Sequence, residues 1–302
     1  MNVVSAIKTS FNILGKNLIL AQPPILFLII FTLLSSGVNS LRTNQVAFVV
    51  FSLTFLLLIC AFLAGWFYMA KKTIAFELET DIDAEEKAFQ SFGLVKHFFP
   101  GVGDYFVSVV LAGMFYLLLS FATMYLALKV GVRYIGAVDV DFEKMNAAAS
   151  SLQSLQAYFA SLPVEKVVMI KTWFLYLMAI ANGFQFVTLW WIPAIFYKSK
   201  NPFIAFVEAI KFLFRKFWAT VVIYSFLLMF NFVVSMINSF SYVNVVISLI
   251  GFILFFYFTT YCVVLIFLYY GKNGERTAKD YIYSGDDCDG EKLAGSEPSS
   301  ED

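Results

Sequence analysis

Ionisable side chains are scarce in this sequence, and their absence from its apolar segments excludes whole classes of membrane mechanism. Charged residues make up 14% of the 302 residues, well below the roughly 25% of soluble domains. The six longest apolar runs contain no Asp, Glu, Lys, Arg or His. Ion-coupled transporters and proton relays place such groups at membrane depth, because charge moves there. The sequence therefore argues against both mechanisms.

Metal-ligating and nucleophilic residues are equally few. His97 is the single histidine, Cys60 and Cys262 lie inside apolar runs, and Cys288 lies in a polar segment. These spacings fit neither a metal site nor a disulfide framework. The sequence also lacks a Walker loop, a Gly-x-Ser-x-Gly elbow and an HExxH motif. We therefore predict no cofactor, no metal site and no enzymatic activity.

Apolar residues dominate instead. The chain is 60% hydrophobic and 19% aromatic with a mean hydropathy of +0.78, whereas soluble domains are about 45 to 50% apolar. The 21 basic and 21 acidic residues cancel, so no excess of positive charge indicates a nucleic-acid partner. This composition predicts an integral membrane protein.

Six apolar runs reach the length of about 20 residues that a bilayer-spanning helix needs. The predicted spans are residues 18–37, 46–70, 105–128, 172–197, 218–237 and 245–270. The first exceeds the apolar core of a signal peptide, about 7 to 15 residues, so we predict a span and not a cleaved leader. Trp190 and Trp191 in the fourth span are expected at the level of the lipid headgroups.

A helix that lies along the membrane surface is predicted at residues 202–217. Asn201 suits the N-cap, and Pro202 suits the first helical position, which needs no amide donor. At helical spacing the sequence has one apolar face, made of Phe203, Phe206, Val207, Ile210, Leu213, Phe214 and Phe217. Glu208, Lys211 and Arg215 fall on the other face, so the predicted helix is amphipathic and precedes a span.

Weaker versions of this pattern occur at residues 3–17 and 84–99, the latter ended in our prediction by Pro100 and Gly101. Each contains an Ala before a bulky apolar residue, then an aromatic and a basic residue: Ala6-Ile7, Phe11 and Lys16; Ala88-Phe89, Phe92 and Lys96; Ala209-Ile210, Phe214 and Arg215. Chance convergence on amphipathic chemistry is the alternative to a true repeat. The predicted fold class is an all-α polytopic membrane protein with six transmembrane helices and three amphipathic interfacial helices.

The stretch NPFIAFVEAIKFLFRKFW, which runs directly into a span, carries a family resemblance. It resembles a group of uncharacterised bacterial and archaeal polytopic integral membrane proteins, and it is similar to the membrane domain that accompanies some glycerophosphoryl diester phosphodiesterases. The resemblance covers roughly residues 1–270 in architecture and implies helix-plus-hairpin modules. Because no residues correspond to the phosphodiesterase barrel or its metal-binding acids, it does not imply that activity.

The polar connections complete the predicted layout. The acidic run from Glu77 to Glu86 lacks the glycine turn of a calcium loop, so we interpret it as a solvated helix start. One short helix is expected within residues 142–162. Residues 272–302 are acidic and poor in large apolar residues, which predicts a disordered tail.

Lys and Arg residues divide unequally between the two sides of the predicted bundle. The N-terminus, the second and fourth connections and the segment after the sixth span hold 14 of them, whereas the other connections hold six. Positive residues favour the cytoplasmic side. We therefore expect a multi-pass protein of the cell membrane with cytoplasmic N- and C-termini.

Two sets of candidate site residues follow from this layout. Lys211, Arg215 and Lys216 are candidates for holding lipid headgroups. Gln22, Asn182, Gln185 and Asn231 are the amide side chains within the spans, where they either line a polar path or bridge helices.

Three functions remain open. The first is a membrane scaffold that binds the bilayer, with anionic lipids among its partners, or organises a protein partner or a second copy. The alternative is a permease, or the membrane subunit of a transporter, for a neutral or amphipathic substrate. An intramembrane lipid enzyme built on His97 and the Glu77 to Glu86 acids ranks last.

Overall fold

The computed structural model describes residues 1–36, 45–78, 93–137, 144, 146–147, 151–239 and 245–283, and every regular element in these ranges is helical. Two 3₁₀ turns, Leu18–Ala21 and Leu94–His97, precede α2 and α4. The helices are α1 (Val3–Lys16), α2 (Gln22–Ser36), α3 (Gln45–Leu78), α4 (Phe98–Tyr134), α5 (Leu152–Ser161), α6 (Val164–Thr188), α7 (Trp191–Tyr197), α8 (Pro202–Arg215), α9 (Phe217–Ser239) and α10 (Val245–Tyr283).

The helices confirm an all-α polytopic membrane protein. Within the described ranges, five helical segments have the length and apolar character to cross a membrane. A sixth is added if α1 and the residues that follow it, up to Leu34, count as one broken span, bent by 87°. The near right angle arises where α1 ends at Lys16 and a 3₁₀ turn begins at Leu18.

Proline accounts for two helix boundaries that fall inside the predicted spans. The first span was expected from residue 18, but α2 begins only at Gln22, which places Pro23 and Pro24 in its first turn. Proline is tolerated there because the first amides lack helical acceptors. Residues 172–197 were expected as one span and lie within the single candidate span Val164–Tyr197, although the helix is interrupted between Thr188, where α6 ends, and Trp191, where α7 starts. Pro193 explains this break, since its ring clashes with the carbonyl four residues earlier.

Two other boundaries also differ from the expectation. Helix α4 begins at Phe98 and continues through Pro100 and Gly101, so the prediction that this pair ends a helix is wrong. Residues 84–92 of the predicted second interfacial helix lie outside the described residues.

Helix α10 reaches Tyr283, beyond residue 272, where the disordered tail was expected to begin. Extending a formed helix needs no new nucleation, which accounts for the difference. Residues 284–302 lie outside the described ranges. Helix α5 agrees with the short helix predicted within residues 142–162.

The chain divides into two compact units, of which unit 1 comprises residues 1–110 and 190–302. Helix α10 is central to unit 1 and contacts α1, α3, α7 and α9. Its buried Phe267 lies with its ring centroid 5.6 Å from those of both Phe67 in α3 and Phe196 in α7. Aromatic packing along α10 therefore joins the helices of unit 1.

Unit 2 comprises residues 111–189, in which parts of α4 and α6 pack together. Trp173 is 8% exposed, and its indole N–H donates to the carbonyl of Gly136 at 3.0 Å. The Tyr176 hydroxyl donates to the carbonyl of Ala127, also at 3.0 Å. A Cβ atom on Gly131 would overlap the Trp173 ring, so this glycine allows the close approach of the two helices.

Helices α1 and α8 have the same internal plan. Asn2 and Asn201 cap them, and each side-chain oxygen accepts from the backbone N–H two residues on. The buried residues then fall at the same distances from each cap: Ala6, Ser10, Ile13 and Leu14 in α1, and Ala205, Ala209, Phe212 and Leu213 in α8. Ala6 therefore corresponds to Ala205, and the pairing of Ala6 with Ala209 proposed from sequence is shifted by one turn.

Candidate functional site

One end of unit 1 gathers the ends of several helices and many of its basic groups. The Met1 ammonium donates to Asn273 Oδ1 at 3.0 Å, and Lys198 Nζ donates to the Gly274 carbonyl at 3.0 Å. Asn17 Nδ2 donates to Glu77 Oε1 at 2.9 Å, which ties the end of α1 to the end of α3. We call this end of unit 1 the basic end.

An ion pair joins α4 to the segment after α7 at the basic end. Lys200 Nζ lies 3.3 Å from Asp104 Oδ1 and 5.0 Å from the centroid of the Tyr105 ring. Lys71 Nζ donates to the Phe196 carbonyl at 2.5 Å. Lys71 bonds a carbonyl in the last turn of α7, where the helix dipole favours a cation, whereas Lys200 pairs with a carboxylate near the start of α4. They therefore bind the protein's own groups.

Helix α8 has three faces, where the sequence predicted two. Its packed face contains the four residues that match α1, and it lies against α7. A second face is apolar and more than half exposed at Phe203, Val207 and Phe214. The third face carries Glu208, Lys211 and Arg215. Because Leu213 packs inside, the apolar face predicted from sequence is in part the protein contact and in part an exposed surface.

The three headgroup candidates differ in their placement. Lys211 Nζ forms an ion pair with Glu208 Oε1 at 2.7 Å, and both side chains are exposed. The Arg215 guanidinium is exposed and lies 5.4 Å from the Phe212 ring centroid. Lys216 is the C-cap of α8 and is only partly exposed. Lys211 and Arg215 therefore share the charged face, whereas Lys216 marks the turn into α9.

Trp190 and Trp191 fix both ends of α8, and they are buried rather than exposed to lipid. The Trp191 indole N–H donates to the carbonyl of Pro202, the first residue of α8, at 2.8 Å. The Trp190 N–H donates to Thr220 Oγ1 at 3.0 Å, just after α8. Both indoles are at most 1% exposed. The pair is therefore covered by protein, because each N–H finds its partner inside the protein. The expectation that it lies at the level of the headgroups stays a prediction.

The amide candidates divide between the two units, with Asn182 and Gln185 in unit 2. Gln185 lines a cavity of about 480 Å³ in unit 2, together with Ser120 and Thr123. Asn182 Nδ2 donates to the Met178 carbonyl one turn earlier in the same helix, at 2.7 Å.

The other two amides lie in unit 1. Gln22 lines an apolar cavity there, and Asn231 is exposed on α9. The hydroxyls of Ser120 and Thr123 were missed because isolated Ser and Thr residues are common in spans and carry no signal of their own.

The candidates for catalysis are only partly described. His97 ends the 3₁₀ turn before α4, and Glu77 bonds Asn17, but residues 79–86 of the acidic run lie outside the described residues. Among the residues that the structure describes, no group of three His, Cys, Asp or Glu residues is arranged to hold a metal ion.

Comparison with known proteins leaves the family unassigned. No family model matches the chain, and neither a curated protein nor a solved structure matches it. The family resemblance stated from the sequence therefore remains a prediction. Function has to be argued from the geometry of the basic end, of α8 and of the cavities.

Proposed function

We propose that this protein is a membrane scaffold that holds anionic lipid headgroups at the cytoplasmic surface of the cell membrane, with α8 as the interfacial helix. The three-faced arrangement of α8 is the observation that carries the proposal. A helix with one face fixed to its protein presents its other two faces in a set direction. Its exposed apolar face suits the edge of the hydrocarbon, and its adjoining charged face suits the headgroups.

The charges on α8 have the sign that anionic headgroups attract, and the expected attraction exceeds the repulsion between them. A basic residue near an anionic leaflet gains about 1 kcal/mol, while a like-charge pair one turn apart costs only a few tenths. Lys211 is offset by Glu208, to which it is bonded. Arg215 therefore carries the larger share, and its planar guanidinium suits bidentate phosphate contact.

The contacts at the basic end support the proposed topology. Met1 and Asn273 are hydrogen-bonded, so the two positions lie on the same side of any membrane that unit 1 crosses. An even number of crossings must then separate them, which favours six spans over five. The 14 to six distribution of Lys and Arg supports a cytoplasmic location for that side.

Removing the three cations of this segment tests the proposal. We expect the variant Lys211→Gln, Arg215→Gln, Lys216→Gln to retain about tenfold less phosphatidylglycerol after purification, because roughly 1.4 kcal/mol of headgroup attraction is lost. Retained phosphatidylcholine should be unchanged. Both lipids are quantified by mass spectrometry after reconstitution in mixed vesicles and extraction in mild detergent.

The matched control removes three cations elsewhere, at Lys129, Arg133 and Lys166. It has the same net charge as the test variant but leaves α8 intact. Reporter fusions after residue 271 verify that both variants keep the parental topology. Equal phosphatidylglycerol retention by the test variant, the control and the parent would refute α8 as the headgroup site.

A permease for a neutral or amphipathic substrate is the second candidate, favoured by the cavity in unit 2. Ser120, Thr123, Gln185 and the hydroxyl-bearing Tyr116 are its polar lining residues, and no Asp, Glu, Lys, Arg or His is among the lining residues in the described part of the chain. Such a lining suits an uncharged solute. We rank this function second because it rests on one cavity, whereas the N-cap and packed face of α8 occur again in α1.

A further inference from the structure

Unit 1 contains an apolar cavity of about 450 Å³ between α2, α3 and the start of α4. Leu26 and Ile30 of α2 line one side and are about half exposed, Leu58 and Met69 of α3 line another, and Phe98 of α4 also lines it. Gln22 is the one polar side chain among its lining residues in the described part of the chain. The volume is within the range of small-molecule sites, about 300 to 1,000 Å³, but the lining offers a hydrophilic solute almost no hydrogen bonds.

The cavity has a defined direction. Gln22 opens α2, directly after the segment tied to Glu77, and Met69 lies two turns before Glu77 in α3, so both residues are near the basic end. Helix α2 runs away from that end and α3 runs toward it, which places Ile30 and Leu58 deeper. At 1.5 Å per residue the lining extends roughly 12 Å along α2 and roughly 16 Å along α3.

This length corresponds to one leaflet of a bilayer. The hydrocarbon core is about 30 Å thick, so a single acyl chain extends about 15 Å from the ester level to the midplane. A chain that enters beside Gln22 would therefore reach the depth of Ile30 and Leu58. A polar amide at the mouth and apolar walls below it match the sequence of groups along a phospholipid.

Two basic residues follow lining residues closely in the sequence. Lys72 follows Met69 by one turn on the same stripe of α3, is exposed, and lies with Nζ 5.6 Å from the Tyr68 ring centroid. Lys96 follows the lining residue Val95 in the 3₁₀ turn and is also exposed. Two cations at the headgroup level select for a negative headgroup.

We infer that this cavity is a second lipid site, which holds one acyl chain of an anionic phospholipid with its headgroup between Lys72 and Lys96. The inference rests on the proposed lipid-binding function but concerns different residues from those of α8. The cavity therefore adds a chain-binding site to the headgroup surface.

Photocrosslinking with phosphatidylglycerol that carries a diazirine near the end of one chain tests the cavity. In reconstituted protein we expect the label on α2 and α3 at the depth of Ile30 and Leu58. Filling the cavity with Ala61→Trp, or with Leu26→Trp from the opposite wall, should reduce this label at least fivefold. Leu53→Trp is the matched control, because Leu53 lies on α3, is 57% exposed and does not line the cavity.

The headgroup preference is measured separately. Lys72→Gln with Lys96→Gln should reduce labelling by the phosphatidylglycerol probe about thirtyfold, at about 1 kcal/mol for each lysine, and leave a phosphatidylcholine probe unchanged. Equal parental labelling by both probes would overturn the anionic preference. Persistent label in both filled variants would show that the chain does not bind in this cavity. Crosslinks between two copies of the chain would show that a second copy, and not a lipid, occupies it.

The triple α8 variant separates this inference from the proposed function. If this variant keeps the crosslink in the cavity but retains less phosphatidylglycerol, both sites are supported and they bind lipid independently. If this variant retains both lipids at the parental level, and the cavity crosslink is lost only in the filled variants, the α8 proposal fails and the cavity site is supported. Loss of the cavity label in the α8 variant would contradict the independence of the two sites.

Discussion

Replacing Trp190 by Ala is expected to destabilise unit 1 by about 3 to 5 kcal/mol, the usual range for removing a large buried aromatic side chain. Trp190 is fully buried, with ring centroids 5.1 Å from Phe212 in α8 and 5.6 Å from Tyr269 in α10. The substitution leaves a cavity where α8 meets α10. We expect the melting midpoint in detergent to fall by about 10 °C.

Trp190→Phe separates packing from hydrogen bonding. Phenylalanine fills most of the volume but leaves Thr220 without the indole donor, so we expect a loss of only about 1 kcal/mol beyond the reduced packing. Thr220 Oγ1 keeps its own bond to the Lys216 carbonyl at 3.0 Å. A Trp190→Ala protein that melts like the Trp190→Phe protein would contradict the central packing role of this indole.

Gly131→Ala is expected to destabilise unit 2 by about 1 to 3 kcal/mol, although alanine favours helices over glycine by about 1 kcal/mol. The new methyl group would overlap the Trp173 ring. That ring cannot move aside without breaking its hydrogen bond to the Gly136 carbonyl. A drop of several degrees in the melting midpoint of the detergent-solubilised protein is the expected measurement.

Gly183→Ala is the matched control in the same unit. Gly183 lies within α6, and a Cβ atom there would meet nothing within 4 Å. This variant should keep or raise the melting midpoint, because only the helix propensity changes. If the two variants melt alike, Gly131 is not a close-contact position.

The features that are coded locally could be predicted from the sequence. An apolar run of bilayer length needs no distant partner to form a helix, because the helix satisfies its own backbone groups. The same holds for the start of α8, where Asn201 Oδ1 accepts from the Phe203 N–H at 3.0 Å. The exposure of Lys211 and Arg215 also followed from helical phase alone.

The features that depend on distant contacts could not be predicted. An indole suits both a headgroup layer and a protein core, and only the position of Thr220 places Trp190 inside. Helical phase gave α8 one apolar face, but α7 covers part of it and leaves Phe203 and Phe214 exposed. The cavity in unit 1 could not be predicted from the sequence for the same reason, because its walls come from separate helices.

Spin-label accessibility along α8 tests most directly whether this helix lies in the interface. Single cysteines are placed at successive positions from Phe203 to Arg215 in a protein whose native Cys60, Cys262 and Cys288 are replaced by Ser, and the labelled protein is studied in vesicles that contain phosphatidylglycerol. We predict that labels on the exposed apolar face, at Phe203, Val207 and Phe214, are relaxed by oxygen. Labels on the charged face, at Glu208, Lys211 and Arg215, should be relaxed by a water-soluble nickel complex. A label at Ala209, on the packed face, should be protected from both. Equal nickel accessibility at all exposed positions would place α8 in water and contradict the proposed function.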